Sequence, residues 1–104
     1  HTGEVTTAVK DSAAPGVGPI KAGQVIGLAD DEITAVGESV ADVASTLVKS
    51  LADDAETATL LAGEDLSDDD LVLIQERLAA ENPHLDFEAH RGEQPLYPLI
   101  IGIE

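Results

Sequence analysis

The sequence contains no cysteine, no methionine and no tryptophan, and it has a single phenylalanine, Phe87, and a single tyrosine, Tyr97. Without Cys, neither a disulfide framework nor a thiolate zinc site can form, which fits a cytoplasmic protein. Two aromatic rings make no platform on which bases could stack. Basic residues are as scarce: five Lys and Arg stand against 21 Asp and Glu, leaving a formal net charge of −16. Phosphate backbones and anionic lipid surfaces are held by Lys and Arg that displace counterions, so nucleic-acid and membrane-surface roles are disfavoured. Apolar runs are only a few residues long, which excludes a transmembrane helix, and no signal-peptide pattern opens the chain. Position 1 is His rather than Met, and the expectation is a fragment of a longer multidomain protein.

What remains is enough for one domain. A chain of 104 residues buries roughly 65% of its unfolded surface, and Val, Leu, Ile and Ala must supply the core. Glu4 to Val9 alternates as a strand does, and Asp11 to Pro19, rich in small residues, Gly and Pro, reads as a surface loop. Gln24–Leu28 and Glu32–Val36 are β-prone runs joined as a hairpin. Ser39 caps a first helix with Asp42 three residues on; Val40, Val43, Ala44, Leu47, Val48 and Leu51 form its apolar face. Thr57–Ala62 is a further strand, apolar enough for burial on both faces. Ser67 caps a second helix whose first turn holds Asp68, Asp69 and Asp70 and whose buried stripe is Leu71, Ile74 and Leu78. Asn82-Pro83 stops it. Leu85–His90 alternates as a strand with one wet face, and Tyr97–Ile103 supplies an interior strand. The order β, ββ, α, β, α, β, β predicts an α/β two-layer sandwich. It is a mixed sheet with both helices on one face, and each crossover links neighbouring parallel strands.

The residues that could carry chemistry are scattered. The acidic stretch from Asp53 to Asp70 lacks the alternate ligands and the Gly of a calcium loop, and its Asp triplet suits a helix N-terminus. His1, His84 and His90 make no zinc constellation. The serines sit in no Gly-x-Ser-x-Gly elbow, and Gly16-Val17-Gly18 lacks the third Gly and the Lys-Ser or Lys-Thr of a nucleotide loop. No catalytic, cofactor-binding or metal-binding residue is assigned. The exception to this blandness is Arg91-Gly92-Glu93-Gln94-Pro95-Leu96-Tyr97-Pro98, where the one tyrosine lies between two prolines. As a rigid turn it covers the core edge; as a contact, Arg91, Gln94, Leu96 and Tyr97 are candidate partner-binding residues, because Tyr and Arg on stiff backbone suit a hot spot.

That loop, Gly92-x-Gln94-Pro95-Leu96-Tyr97-Pro98 closing on Ile101-x-Ile103-Glu104, resembles the C-terminal ending of the bacterial dihydroxyacetone-kinase-like proteins, the kinase-bearing members of the fatty acid kinase family. Thr2–Ser12, Gly23-x-x-Ile26-Gly27-Leu28 and Leu61-x-Gly63-Glu64-Asp65 match the same family in order, over essentially the whole chain. The resemblance implies a C-terminal, non-catalytic domain spanning 1–104 and similar to the C-terminal half of DegV-type fatty-acid-binding proteins. It implies a parent kinase that uses ATP and Mg elsewhere in its chain, and a fatty-acid-binding partner of the DegV type. The His-x-Gly-Pro-Gly signature with which DegV-type proteins help hold a lipid head group is absent, and Asp30-Asp31-Glu32 replaces the usual Asp-Gly turn. Three readings follow: an interaction domain docking the acyl-binding protein or packing on its own kinase domains; a small-molecule or fatty-acid-binding module of DegV-like ancestry; and, least favoured, an independent enzyme.

Overall fold

Eight strands and two helices follow one another among the residues that the computed structural model describes, which are 2–30, 32–52, 54–64, 66–92 and 98–104. They are β1 (Thr2–Thr7), β2 (Ser12–Ala14), β3 (Gly18–Ile20), β4 (Val25–Ala29), β5 (Glu32–Gly37), α1 (Val40–Leu51), β6 (Thr57–Ala62), α2 (Asp68–Glu81), β7 (Asp86–Arg91) and β8 (Leu99–Ile103). Six of the strands form one sheet in the order β5-β4-β1-β8-β6-β7. Both helix starts are as the residues predict: Ser39 Oγ accepts from the Asp42 amide at 3.1 Å and Ser67 Oγ from the Asp70 amide at 3.1 Å, each satisfying an amide that the helix leaves without a partner.

The two-layer α/β sandwich with a mixed sheet is therefore observed, but its internal directions differ from expectation. β6 and β7 pair in parallel, whereas β1–β4, β1–β8, β4–β5 and β6–β8 are all antiparallel. β5 and β6 do point the same way, yet β4, β1 and β8 lie between them, so α1 spans three strands instead of linking neighbours. Both crossovers travel in the same direction across the sheet, and the right-handed rule then places both helices on one face, where they pack against each other. The segment read as a loop, Asp11–Pro19, contains a small hairpin of β2 and β3, turned by Gly16 at φ +79°. Its tip shares a cleft with Ile33, whose register opposite Leu28 puts it on the sheet face away from the helices. Strand β6 buries Ala58, Leu60 and Ala62 under the helices but leaves Thr59 and Leu61 half-buried, so its burial is one-sided.

The two helices sit differently. Beneath α1 the sheet presents small residues: Gly3 on β1, Gly27 and Ala29 on β4, Ala35 and Gly37 on β5. A Cβ on Gly27 would lie 2.7 Å from Val43 Cγ1 and 3.0 Å from Leu47 Cγ, so the side chains of α1 rest on bare backbone. Toward β8 and β6 the helix-facing positions become large, with Leu99, Ile101 and Leu60 all fully buried. Leu71, Ile74 and Leu78 of α2 complete that half of the core. A polar seam binds the helices along their outer edge. Buried Ser45 donates to Glu81 at 2.6 Å, Lys49 and Arg77 approach the same carboxylate at 3.7 and 3.5 Å, and Arg77 reaches Asp42 at 2.7 Å. The hydrogen bond from Ser45, then the charges of Lys49 and Arg77, hold the Glu81 carboxyl below its ordinary value of 4.5. The hydrogen bond from Arg77, then that with Ser39, do the same for Asp42, ordinarily 3.8.

Two outcomes are expected. Gly27→Ala overpacks the seat of α1 and lowers unfolding free energy by roughly 1–3 kcal/mol. Gly102→Ala, where an added Cβ meets nothing within 4 Å, stays within about 0.5 kcal/mol; urea titration of both variants checks the pair. Because the Glu81 and Asp42 carboxyls are depressed in the folded state, their contribution is present above the ordinary values and lost as pH falls through the lowered ones. Glu81→Gln is accordingly less stable than the parent at pH 7, and the two melting curves converge as pH drops below 4.5. A gap that stays constant to pH 3 would show that charge at Glu81 is irrelevant.

Candidate interaction site

The parallel strands β6 and β7 end at the same edge of the sheet, and there the two helices begin. Crossover topology makes that edge the usual place for a site, since loops rather than regular hydrogen bonding occupy it. Here it is closed by Arg91, the last residue of β7. Its guanidinium donates to the Gly63 carbonyl at 3.0 Å and the Leu66 carbonyl at 2.7 Å, and pairs with Asp68 at 2.8 Å. The planar fork of Arg, with five donors in fixed geometry, can take two carbonyls and a carboxylate at once where Lys could not. One side chain thus fastens the loop after β6 to the first turn of α2.

The ends of the proline-flanked loop are fastened to the same place. Gly92 donates its amide to the Ala62 carbonyl at 2.7 Å, and the Pro98 carbonyl accepts from the Gly63 amide at 2.8 Å. Of the four candidate partner-binding residues, Arg91 is thereby engaged within the chain, its side chain one-third exposed. Gln94, Leu96 and Tyr97 lie outside the described residues. The sequence motifs turn out to be two interlocked pairs. Leu61-x-Gly63-Glu64 meets Gly92 and Pro98 at this edge. Thr2–Ser12 meets Gly23–Leu28 through the pairing of β1 with β4, extended by the Ala8 amide on the Gln24 carbonyl at 2.8 Å and the Gly23 amide on the Ala8 carbonyl at 2.9 Å.

The polar residues weighed for chemistry are dispersed. His84 Nε2 lies 3.4 Å from the Ala52 carbonyl beyond the C-terminus of α1, while His90 is exposed beside Glu88 on β7; His1 lies outside the described residues. Ser39 and Ser67 are occupied as caps and Ser45 is spent on Glu81. Among the described residues no three His, Asp or Glu side chains gather in a group that could hold a metal ion. No described helix is long and apolar enough to cross a membrane. Beside the Arg91 clamp lies a feature that the residue pattern alone did not bring out, a groove between the first turns of α1 and α2 that Leu66 and Leu73 help to line. Its signal was Leu71-Val72-Leu73-Ile74, four consecutive apolar residues, more than one helix face can bury.

The model of the FakA-like C-terminal family, the C-terminal domain of proteins like the FakA component of fatty acid kinase, matches residues 1–104. The chain belongs to this family. It is 36% identical to the uncharacterized protein SH1689 of Staphylococcus haemolyticus and 31% identical to the protein YloV of Bacillus subtilis. In each case 99% of this chain is covered but 19% of the relative. An uncharacterized protein of Staphylococcus epidermidis is 33% identical over the whole chain, again 19% of its own length. The chain thus spans about a fifth of the relatives it matches, and it is a fatty acid kinase-related domain. Within this family's fold the Arg91 clamp yields a direct expectation. Arg91→Ala removes two carbonyl bonds worth about 1 kcal/mol each and lowers stability by roughly 1–3 kcal/mol. Asp68→Ala, which loses an exposed ion pair and one of three carboxylates in the first turn of α2, costs about 1 kcal/mol or less. Equal losses in thermal melts would place the strength of the clamp in the ion pair instead.

Proposed function

We propose that this chain is a non-catalytic interaction domain of an acyl-phosphate-forming kinase. In a longer cytoplasmic chain it packs beside dihydroxyacetone-kinase-like domains that use ATP and Mg, and it docks the DegV-type protein that presents a fatty acid carboxylate for phosphorylation. Family membership over the full length supports the kinase context, and the small share of each relative leaves room for the domains that do the chemistry. The observation that carries the docking role is the double anchoring of the Gly92–Pro98 loop: its ends are held to Ala62 and Gly63, next to an arginine that fixes the loop floor. A recognition loop with fixed ends has less freedom to lose on binding than a floppy one. The alternative of a fatty-acid-binding module finds no room under α1 at Gly27, where an added methyl group would lie 2.7 Å from Val43 Cγ1.

Calorimetric titration of the chain with its cognate DegV-type protein tests the reading. Saturable binding is expected, with Tyr97→Ala weakening it at least about tenfold, a loss of ~1.4 kcal/mol or more that marks an interface anchor. Absence of heat, together with an unchanged sedimentation coefficient on mixing, would end the docking role.

A further inference from the structure

Val9, in the bend between β1 and β2, is 92% exposed, and it is not carried on slack chain. Just before it, the Ala8 amide donates to the Gln24 carbonyl at 2.8 Å and the Ala8 carbonyl accepts from the Gly23 amide at 2.9 Å. Just after it, Asp11 Oδ1 accepts from the Ala22 amide at 2.8 Å. Gln24 Oε1 accepts from the Lys21 amide at 2.8 Å, and Gln24 Nε2 donates to Glu38 at 3.2 Å, which ties this corner to the start of α1. Ile20, 1% exposed, anchors β3 alongside. Residues 8–11 and 21–24 thus form a hydrogen-bonded frame that presents Val9, Lys10 and Lys21 to water. A contact on such a frame has little backbone freedom to lose on binding.

The charge of this segment is opposite in sign to the rest. Residues 5–29 contain Lys10, Lys21 and one acid, Asp11, a formal charge of +1, which leaves −17 for the remainder of a chain that totals −16. Lys49, Arg77 and Arg91 are paired with carboxylates. Lys10 and Lys21 are exposed and form no ion pair among the described residues. An aliphatic side chain flanked by unpaired cations complements carboxylates beside an apolar stripe. The occupant must also be narrow. An anionic membrane or a second copy brings a wide negative surface against the remaining −17. A single helix, about 10 Å across, meets the two lysines and is screened from most other charges over a Debye length of about 8 Å.

We infer that this corner docks an acidic amphipathic helix of a partner protein, its carboxylates over Lys10 and Lys21 and its aliphatic stripe against Val9. The inference goes beyond the docking role proposed above and is independent of it, since no residue of the Gly92–Pro98 loop takes part.

The full chain is titrated into two fluorescein-labelled, stapled helical peptides of equal length and charge, one of Leu and Glu and one of Gln and Glu. Anisotropy reads binding, and ¹⁵N chemical-shift changes locate it. The Leu/Glu peptide binds with shifts confined to residues 8–24, and the Gln/Glu peptide binds at least about tenfold more weakly. Lys10→Gln combined with Lys21→Gln weakens the Leu/Glu peptide at least about tenfold, and Val9→Ser, which leaves every charge in place, does the same. Val72→Ser, at a side chain 51% exposed on α2, leaves the affinity unchanged. Unchanged melting temperatures exclude unfolding as the cause. A Val9→Ser variant that binds as the parent does overturns the inference, as does a diffuse pattern of shifts or an absence of binding. Sedimentation with vesicles of phosphatidylglycerol and phosphatidylcholine in equal parts is the second arm. No uptake is expected; uptake that the paired lysine substitutions abolish would overturn the choice of a protein helix and assign the corner to a membrane.

Discussion

The contact of α1 with the backbone of Gly27 organises the molecule. A helix that must cross from β5 to β6 passes over β4, β1 and β8, and it can lie close to the sheet where Ala35 and Gly37 of β5, Gly27 and Ala29 of β4 and Gly3 of β1 raise little or no side chain between the larger Val25 and Val5. The volume that Val43 and Leu47 would otherwise contest is ceded by the sheet. Closeness on that side fixes the height of α1, and α2 must then pack beside it, with Leu60, Leu99, Leu71, Ile74 and Leu78 filling the wider half. Interiors pack at crystal-like density, so one missing Cβ is felt along the whole helix.

The same arrangement explains why one edge of the sheet collects the features that matter for recognition. Parallel strands β6 and β7 end there, α1 and α2 start there, and the loop from Gly92 to Pro98 returns there to begin β8. Loops at such an edge need fixing, since their backbone groups are outside any ladder. Arg91 does this with one side chain where several backbone contacts would otherwise be required. The scarcity of cations sharpens its role: of five Lys and Arg in the chain, Lys49, Arg77 and Arg91 are engaged with carboxylates in and around the helix layer. Most of the surface is thereby left to acid.

Much of this was legible in the order of residues. The helices were, because Ser39 and Ser67 are strong caps and the period of Val43, Leu47 and Val48, or of Leu71, Ile74 and Leu78, admits one buried face. The strands β1, β4, β5, β6, β7 and β8 were, within a few residues at their ends. The hairpin of β2 and β3 was not: three-residue strands of Ser, Ala, Gly and Pro have no alternation to display, and Ile20 alone among them is fully buried. The direction of pairing was not either. A helix between two strands suggests a parallel neighbour, but nothing local in residues 32–62 announces that three other strands will be slotted between them. The Arg91 clamp escaped notice because an Arg beside Tyr97 reads as a surface contact, whereas its carbonyl partners at Gly63 and Leu66 are distant in sequence and carry no side-chain signal.

The central place of β8 bears on the order of events during folding. This strand, the last of the described elements in the chain, supplies the ladders that join the β5-β4-β1 group to the β6-β7 pair. Without Leu99–Ile103 in place, the facing edges of the two groups, β1 on one side and β6 on the other, have no ladder partner. The sheet is one piece only once this aliphatic strand lies between the two groups. Until then the nascent domain has two sticky edges instead of one finished sheet.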